Sequence, residues 1–156
     1  MRPPWIGGTA GATLAAVTLA SDRREAVTAD TGVPADVSVL IVDDQAPFRA
    51  VARTVVQLAA GFAVVAEAES GEEAVDLAAA ERPAMVLMDI NLPGIDGIEA
   101  TRRILAAQPS TVVVLLSTYR AADLPDEAAG CGASRYVHKE DFAPAVLREV
   151  WDDAQG

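Results

Sequence analysis

From Val37 onward, short unbroken apolar runs alternate with longer stretches in which apolar residues return every three or four positions. The first pattern marks strands buried on both faces of a parallel sheet, and the second marks amphipathic helices. Residues 39–42 (VLIV) predict the first strand, which ends directly in Asp43 and Asp44. Pro47 suits a first helical turn, and Phe48, Val51, Ala52, Val55, Val56 and Ala59 keep a helical period until Gly61 stops it. Residues 62–66 predict a second strand. Ser70 with Glu73 then reads as a capping-box start for a helix carrying Ala74, Val75, Leu77 and Ala78, which ends at Arg82 and Pro83.

The apolar segment 84–88 predicts a third, central strand that delivers Asp89 to a loop broken by Asn91, Pro93, Gly94 and Gly97. Ile98, Thr101, Ile104 and Leu105 mark a third helix that stops near Gln108 and Pro109. Residues 112–116 predict a fourth strand, followed by Ser117 and Thr118. The stretch 123–132 holds at most a short helix, because Pro125 suits its first turn and Gly130 and Gly132 close it. Residues 134–138 predict a fifth strand ending in Lys139. Phe142, Val146, Leu147, Val150 and Trp151 then fall on one face of a last helix.

Five strands alternating with helices imply an α/β fold, a doubly wound parallel sheet with right-handed crossovers and helices on both faces. The polar residues that interrupt the apolar runs fall at strand C-termini: Asp43 and Asp44, Asp89, Ser117 and Lys139. That is the edge where open α/β sheets bind ligands.

Residues 1 to about 36 show no sustained period and are rich in Ala, Thr, Gly and Pro. They are expected to be a disordered extension ahead of a folded unit at 37–154. Their apolar part, residues 6–20, is shorter than the roughly 20 residues a membrane span needs. Arg2 ahead of an apolar run ending in small residues has the layout of a secretory signal, but a start codon assigned too far upstream is the expected explanation. Composition narrows the partners. With 23 acidic against 12 basic side chains the net charge is −11, which repels phosphate backbones, so direct nucleic-acid binding is not expected. A single cysteine, Cys131, fits a reducing cytoplasm.

Three carboxylates at one sheet edge repel each other by roughly 4 kcal/mol per pair at 4 Å and an effective dielectric near 20. A hard divalent cation resolves that conflict, and Mg²⁺, which takes one or two carboxylates plus waters and phosphate oxygens, fits best. Asp44 and Asp89 are the expected direct ligands, with Asp43 holding a metal-bound water and the backbone carbonyl of Asn91 completing the set. Asp89 then has an oxygen free to act as nucleophile toward a phosphoryl group. Lys139 offers a point charge to the phosphoryl oxygens and Ser117 a hydroxyl. Inward movement of Ser117 would leave room for an aromatic to turn, and Tyr136 is the candidate.

In the segments IVDDQ, VLMDINLPGIDGIEATRRI, VVVLLSTY and GASRYVHK, from about Val37 to Trp151, the chain resembles the receiver domain of two-component response regulators. The resemblance implies a flavodoxin-like (βα)5 fold, Mg²⁺ and slow self-dephosphorylation. It also implies phosphorylation of Asp89 by a phosphohistidine on a sensor histidine kinase or phosphotransfer protein, and it favours Tyr136 as the switch aromatic. The chain departs from that pattern where Glu140 and Asp141, in place of a proline, follow Lys139, and where the fourth helix is short. No output domain is seen after Trp151, so the expected mode of action is docking to a downstream protein or relay of the phosphoryl group by a monomer or weak homodimer. Two other readings stay open: a constitutive interaction module that is never phosphorylated, and a phosphohydrolase. The latter usually has a second aspartate two residues after the nucleophile, where this chain has Asn91.

Overall fold

The computed structural model describes residues 36–156; the reading of residues 1–35 as an extension lies outside them. In chain order the elements are β1 (Val37–Val42), α1 (Ala46–Leu58), β2 (Phe62–Ala68), α2 (Gly71–Glu81), β3 (Met85–Asp89), α3 (Gly97–Ala107), β4 (Val112–Ser117), α4 (Asp126–Gly130), β5 (Arg135–His138) and α5 (Pro144–Gln155). Single 3-10 turns, Ala121–Asp123 and Lys139–Asp141, precede α4 and α5. The strands form one parallel sheet in the order β2-β1-β3-β4-β5. This is the flavodoxin-like order, with its switch point between β1 and β3.

Side chains alternate across the sheet and so feed two cores. Val39, Ile41, Leu87, Val114 and Leu116 pack against α1 and α5 on one side, and Leu40, Val42, Val86, Met88, Val113 and Leu115 pack against α2, α3 and α4 on the other. The three central strands are therefore the unbroken apolar runs of the sequence, each side chain worth about 1.5–3 kcal/mol on burial. Aromatics are few, and Phe48, Phe62, Phe142 and Trp151 gather at the seam of α1, β2 and α5. Trp151 meets Phe62 edge-on at 6.4 Å, and Phe142 lies 6.4 Å from Phe48.

Local chemistry sets the helix ends. Ser70 Oγ accepts the Glu73 N–H at 3.1 Å, and the Glu73 carboxylate returns to the Glu69 N–H, one residue upstream of the usual capping-box partner. Asp96 caps α3 by accepting the Glu99 N–H at 2.9 Å, a start signal that the sequence reading passed over. Phe142 is a correction: it precedes α5 instead of lying on its face, in the link that follows the Lys139–Asp141 turn. The register of β2 on β1 slips between Val39 and Leu40, whose partners are Val64 and Ala66. That leaves Val65 as an unpaired bulge, 41% exposed, on an edge strand.

Candidate functional site

The strand order brings the C-termini of β1, β3 and β4 side by side and sets the turn after β5 beside them. Asp43 follows the last residue of β1 and is 1% exposed, while Asp44 points into solvent. Asp43 Oδ1 accepts the Gln45 N–H at 2.8 Å, and its carbonyl takes a guanidinium hydrogen bond from Arg49 at 2.7 Å. Asp43 Oδ2 is buried with no well-formed hydrogen bond, and the Lys139 ammonium faces it at 2.7 Å. Asp89, the last residue of β3, is 4% exposed; its Oδ1 lies 3.4 Å from the Asn91 N–H and 3.6 Å from Lys139 Nζ.

Carboxylate oxygens of Asp43, Asp44 and Asp89 all come within 4.8 Å of one another. Asp44 and Asp89 line a cavity of about 430 Å³ together with Gln45, Asn91, Thr118 and Lys139. Burial, with the neighbouring Asp43 charge adding to it, pushes the Asp89 carboxyl up to about 6, against the opposing pull of Lys139 and the Asn91 N–H. Raised that far, the carboxyl carries a penalty of about 3 kcal/mol against its ionised form above pH 6. An oxygen-only donor set with one reluctant carboxylate suits a hard divalent cation.

Lys139 is held from two directions. Besides the carboxylates, its ammonium stands 4.5 Å from the centroid of the Phe48 ring, a cation–π placement. Phe48 read only as a core position of α1 in the sequence, since no local spacing announces a contact with a residue so far along the chain. Ser117 closes β4 at 1% exposure beneath the cavity, and its Oγ accepts the Tyr119 N–H at 3.0 Å. An accepting hydroxyl still has its own proton to donate. Thr118, which the sequence reading did not single out, lines the cavity itself. The Tyr136 hydroxyl donates to the Ser117 carbonyl at 3.1 Å and also contacts the Tyr119 carbonyl, so the expected switch aromatic is tied to the segment that follows β4.

Two glycines allow this packing. Gly94 holds φ +74° beneath the Glu72 carboxylate, which accepts the Ile95 N–H at 3.0 Å and anchors the loop carrying Asn91. A Cβ at Gly97 would land inside contact distance of the Asp89 carbonyl oxygen. Gly97→Ala is therefore expected to cost at least the ~3 kcal/mol that marks the upper range of overpacking. Urea unfolding checks this, and a loss below about 1 kcal/mol would show that the β3 to α3 approach is looser than described.

The family model for the response regulator receiver domain matches residues 39–151. The chain is 36% identical over 120 residues to the transcriptional regulatory protein DegU of Brevibacillus brevis, an alignment covering 77% of this chain and 51% of DegU. Among solved structures, the receiver domain of the putative response regulator NarL from Mycobacterium tuberculosis superposes with a TM-score of 0.72 and 28% identity. The match covers 79% of this chain and 99% of that one. The CheX-CheY-BeF3-Mg²⁺ complex from Borrelia burgdorferi matches with a TM-score of 0.65 and 28% identity over 80% of this chain and 91% of that one. The chain spans about half the length of the curated relatives it matches. Receiver domains bind Mg²⁺ at an acidic cluster of the kind formed by Asp43, Asp44 and Asp89. With its parallel five-stranded sheet, its acidic edge and a family match over most of its length, the chain belongs to the response regulator receiver domains of two-component systems.

Proposed function

We propose that residues 37–154 are a phosphorylation switch in which Asp89 accepts a phosphoryl group from a phosphohistidine on a sensor histidine kinase or phosphotransfer protein. The observation that carries this reading is the convergence of three carboxylates within 4.8 Å, with the Lys139 ammonium 3.6 Å from Asp89. Asp44 and Asp89 would hold Mg²⁺ directly, Asp43 through a water, with the Asn91 backbone carbonyl as a further ligand. Bound there, the cation supplies charge neutralisation where carboxylate and phosphoryl oxygens meet.

The chain's own residues do the rest. An electron pair on an Asp89 carboxylate oxygen forms the O–P bond while the P–N bond of the donor breaks and its pair returns to the imidazole. Lys139, fixed between Asp43 and Phe48, puts its charge within reach of a phosphoryl oxygen on Asp89. The Ser117 hydroxyl donates to a second oxygen, and drawing it inward pulls the carbonyls to which Tyr136 is bonded. Output follows as altered docking to a downstream protein or as onward relay of the phosphoryl group, and the acyl phosphate hydrolyses slowly.

A cytoplasmic setting and a lack of direct nucleic-acid contact fit the lone buried Cys131 and the net charge of −11. Among the described residues no helix is long and apolar enough to cross a membrane. Incubation with Mg²⁺ and a small phosphodonor is expected to add one phosphoryl group by mass spectrometry. If a known receiver is labelled in parallel and this chain is not, the constitutive interaction module becomes the better reading.

Metal binding has its own expected signature. Mg²⁺ added at pH 7.5 raises Tm, whereas at pH 5 a proton already occupies the Asp89 carboxylate and must be released, so the rise is smaller. Thermal melts at both pH values test this, and an equal or larger rise at pH 5 would place the cation away from Asp89.

A further inference from the structure

The only histidine of the chain sits at the end of β5, immediately before Lys139, and the phosphoryl-transfer reading gives it no part. Its ring spans two segments. Nε2 lies 2.9 Å from the Thr118 carbonyl oxygen, and Nδ1 accepts the Glu140 N–H at 3.1 Å. A carbonyl can only accept, and a backbone N–H can only donate. These partners assign the ring to the neutral tautomer protonated on Nε2, with no ring nitrogen left over. The Nδ1 bond caps the turn that presents Lys139.

Tyr136, two residues earlier, projects on the same side of β5 as His138; its hydroxyl donates to the Ser117 carbonyl and contacts the Tyr119 carbonyl, on either side of Thr118. Two β5 side chains thus engage the successive carbonyls of Ser117, at the end of β4, and Thr118. One of these side chains also braces the Lys139 turn.

We infer that His138 is a positioning residue for phosphoryl transfer: its imidazole fastens the Thr118 backbone to the Lys139 turn and so holds Ser117 in its phosphate-free place. The inference rests on the proposed phosphorylation of Asp89. The Nε2 bond is made in the phosphate-free arrangement and stabilises it, so the Ser117 segment must release that bond when it moves toward a phosphoryl group.

Asn and Gln separate the two ring functions. His138→Asn keeps an acceptor near the Nδ1 position for the Glu140 N–H but cannot reach Thr118. His138→Gln places an N–H donor near the Nε2 position. With Mg²⁺ and acetyl phosphate, the Asn variant is expected to label about two- to tenfold faster than wild type, the range spanned by the net worth of one hydrogen bond. Without phosphodonor, its Thr118 to Arg120 amide resonances should move toward their phosphorylated positions. The Gln variant should restore the wild-type rate and resonances. A merely structural role would lower Tm in the Asn variant without accelerating labelling.

In the wild-type chain, nitrogen-15 spectra should show the His138 ring protonated on Nε2, with that proton exchanging faster once Mg²⁺ and beryllofluoride are added. Equal labelling rates and unmoved amides in the Asn variant, the opposite ring tautomer, or unchanged proton exchange would overturn the role of His138. Wild-type labelling keeps the two ideas apart: if it fails, the phosphorylation reading fails, and if it succeeds while the His138 results are negative, only the positioning role falls.

Discussion

Asp89→Asn is expected to reduce phosphoryl incorporation from acetyl phosphate and Mg²⁺ to background, because an amide of the same shape lacks the carboxylate electron pair proposed to form the O–P bond. The same substitution is expected to stabilise the metal-free protein, and the sign follows from burial. In the folded chain Asp89 releases its proton near pH 6, whereas in the unfolded chain it does so near its ordinary value of 3.8. Between those values the folded state holds the extra proton, so wild-type stability falls as pH rises through the window. Above pH 6 the full penalty of about 3 kcal/mol applies, and below pH 3.8 none of it does. The Asn variant should therefore gain up to about 3 kcal/mol in EDTA at pH 7.5 and almost nothing at pH 3.5, read from paired urea titrations. Labelling of the variant at the wild-type level would remove Asp89 from the phosphoacceptor role.

Lys139→Ala gives the second large effect, and it has two parts. In the metal-free chain it leaves the buried Asp43 carboxylate without the ammonium 2.7 Å away, a loss of the kind that costs about 3–5 kcal/mol when one member of a buried pair is deleted. The lysine side chain is 14% exposed and Asp43 1%, so solvent offers little relief. Mg²⁺ should restore much of that stability and bind more tightly than in wild type, since the ammonium no longer competes for Asp43. Labelling by a small phosphodonor is expected to survive at a reduced rate. The shift of the Thr118 to Arg120 amides expected to accompany labelling should be lost, because nothing would then tie the phosphoryl oxygens to the turn after β5. A labelled variant that retains the full amide shift would show that Lys139 does not couple the phosphoryl group to the switch.

Much of the architecture was legible in the apolar runs because the central strands are buried on both faces, leaving no alternation to confuse them with helices. Residues 85–88 and 112–116 carry the signal in unbroken form. The acidic positions were legible for a related reason: a carboxylate that ends such a run must emerge at the sheet edge. What stayed hidden depends on backbone geometry or on contacts distant in sequence. Asp96 as a cap competes with the turn chemistry of Pro93 and Gly94 beside it. Phe142 keeps helical spacing with Val146, yet Pro144 starts the helix after it. The Phe48 ring beneath Lys139, the Thr118 wall of the cavity and the hydrogen bond from His138 to Thr118 follow from strand order, which no local pattern encodes.

The slipped register of β2 has a bearing on how such an apolar chain survives at high concentration. A sheet edge with evenly spaced free amides and carbonyls is a template on which another molecule can lay a strand. Here the extra residue at Val65 throws those groups out of step, so an incoming strand would have to carry a matching insertion to continue the ladder. Removing Val65 would even out the spacing and leave that flank open to filament growth.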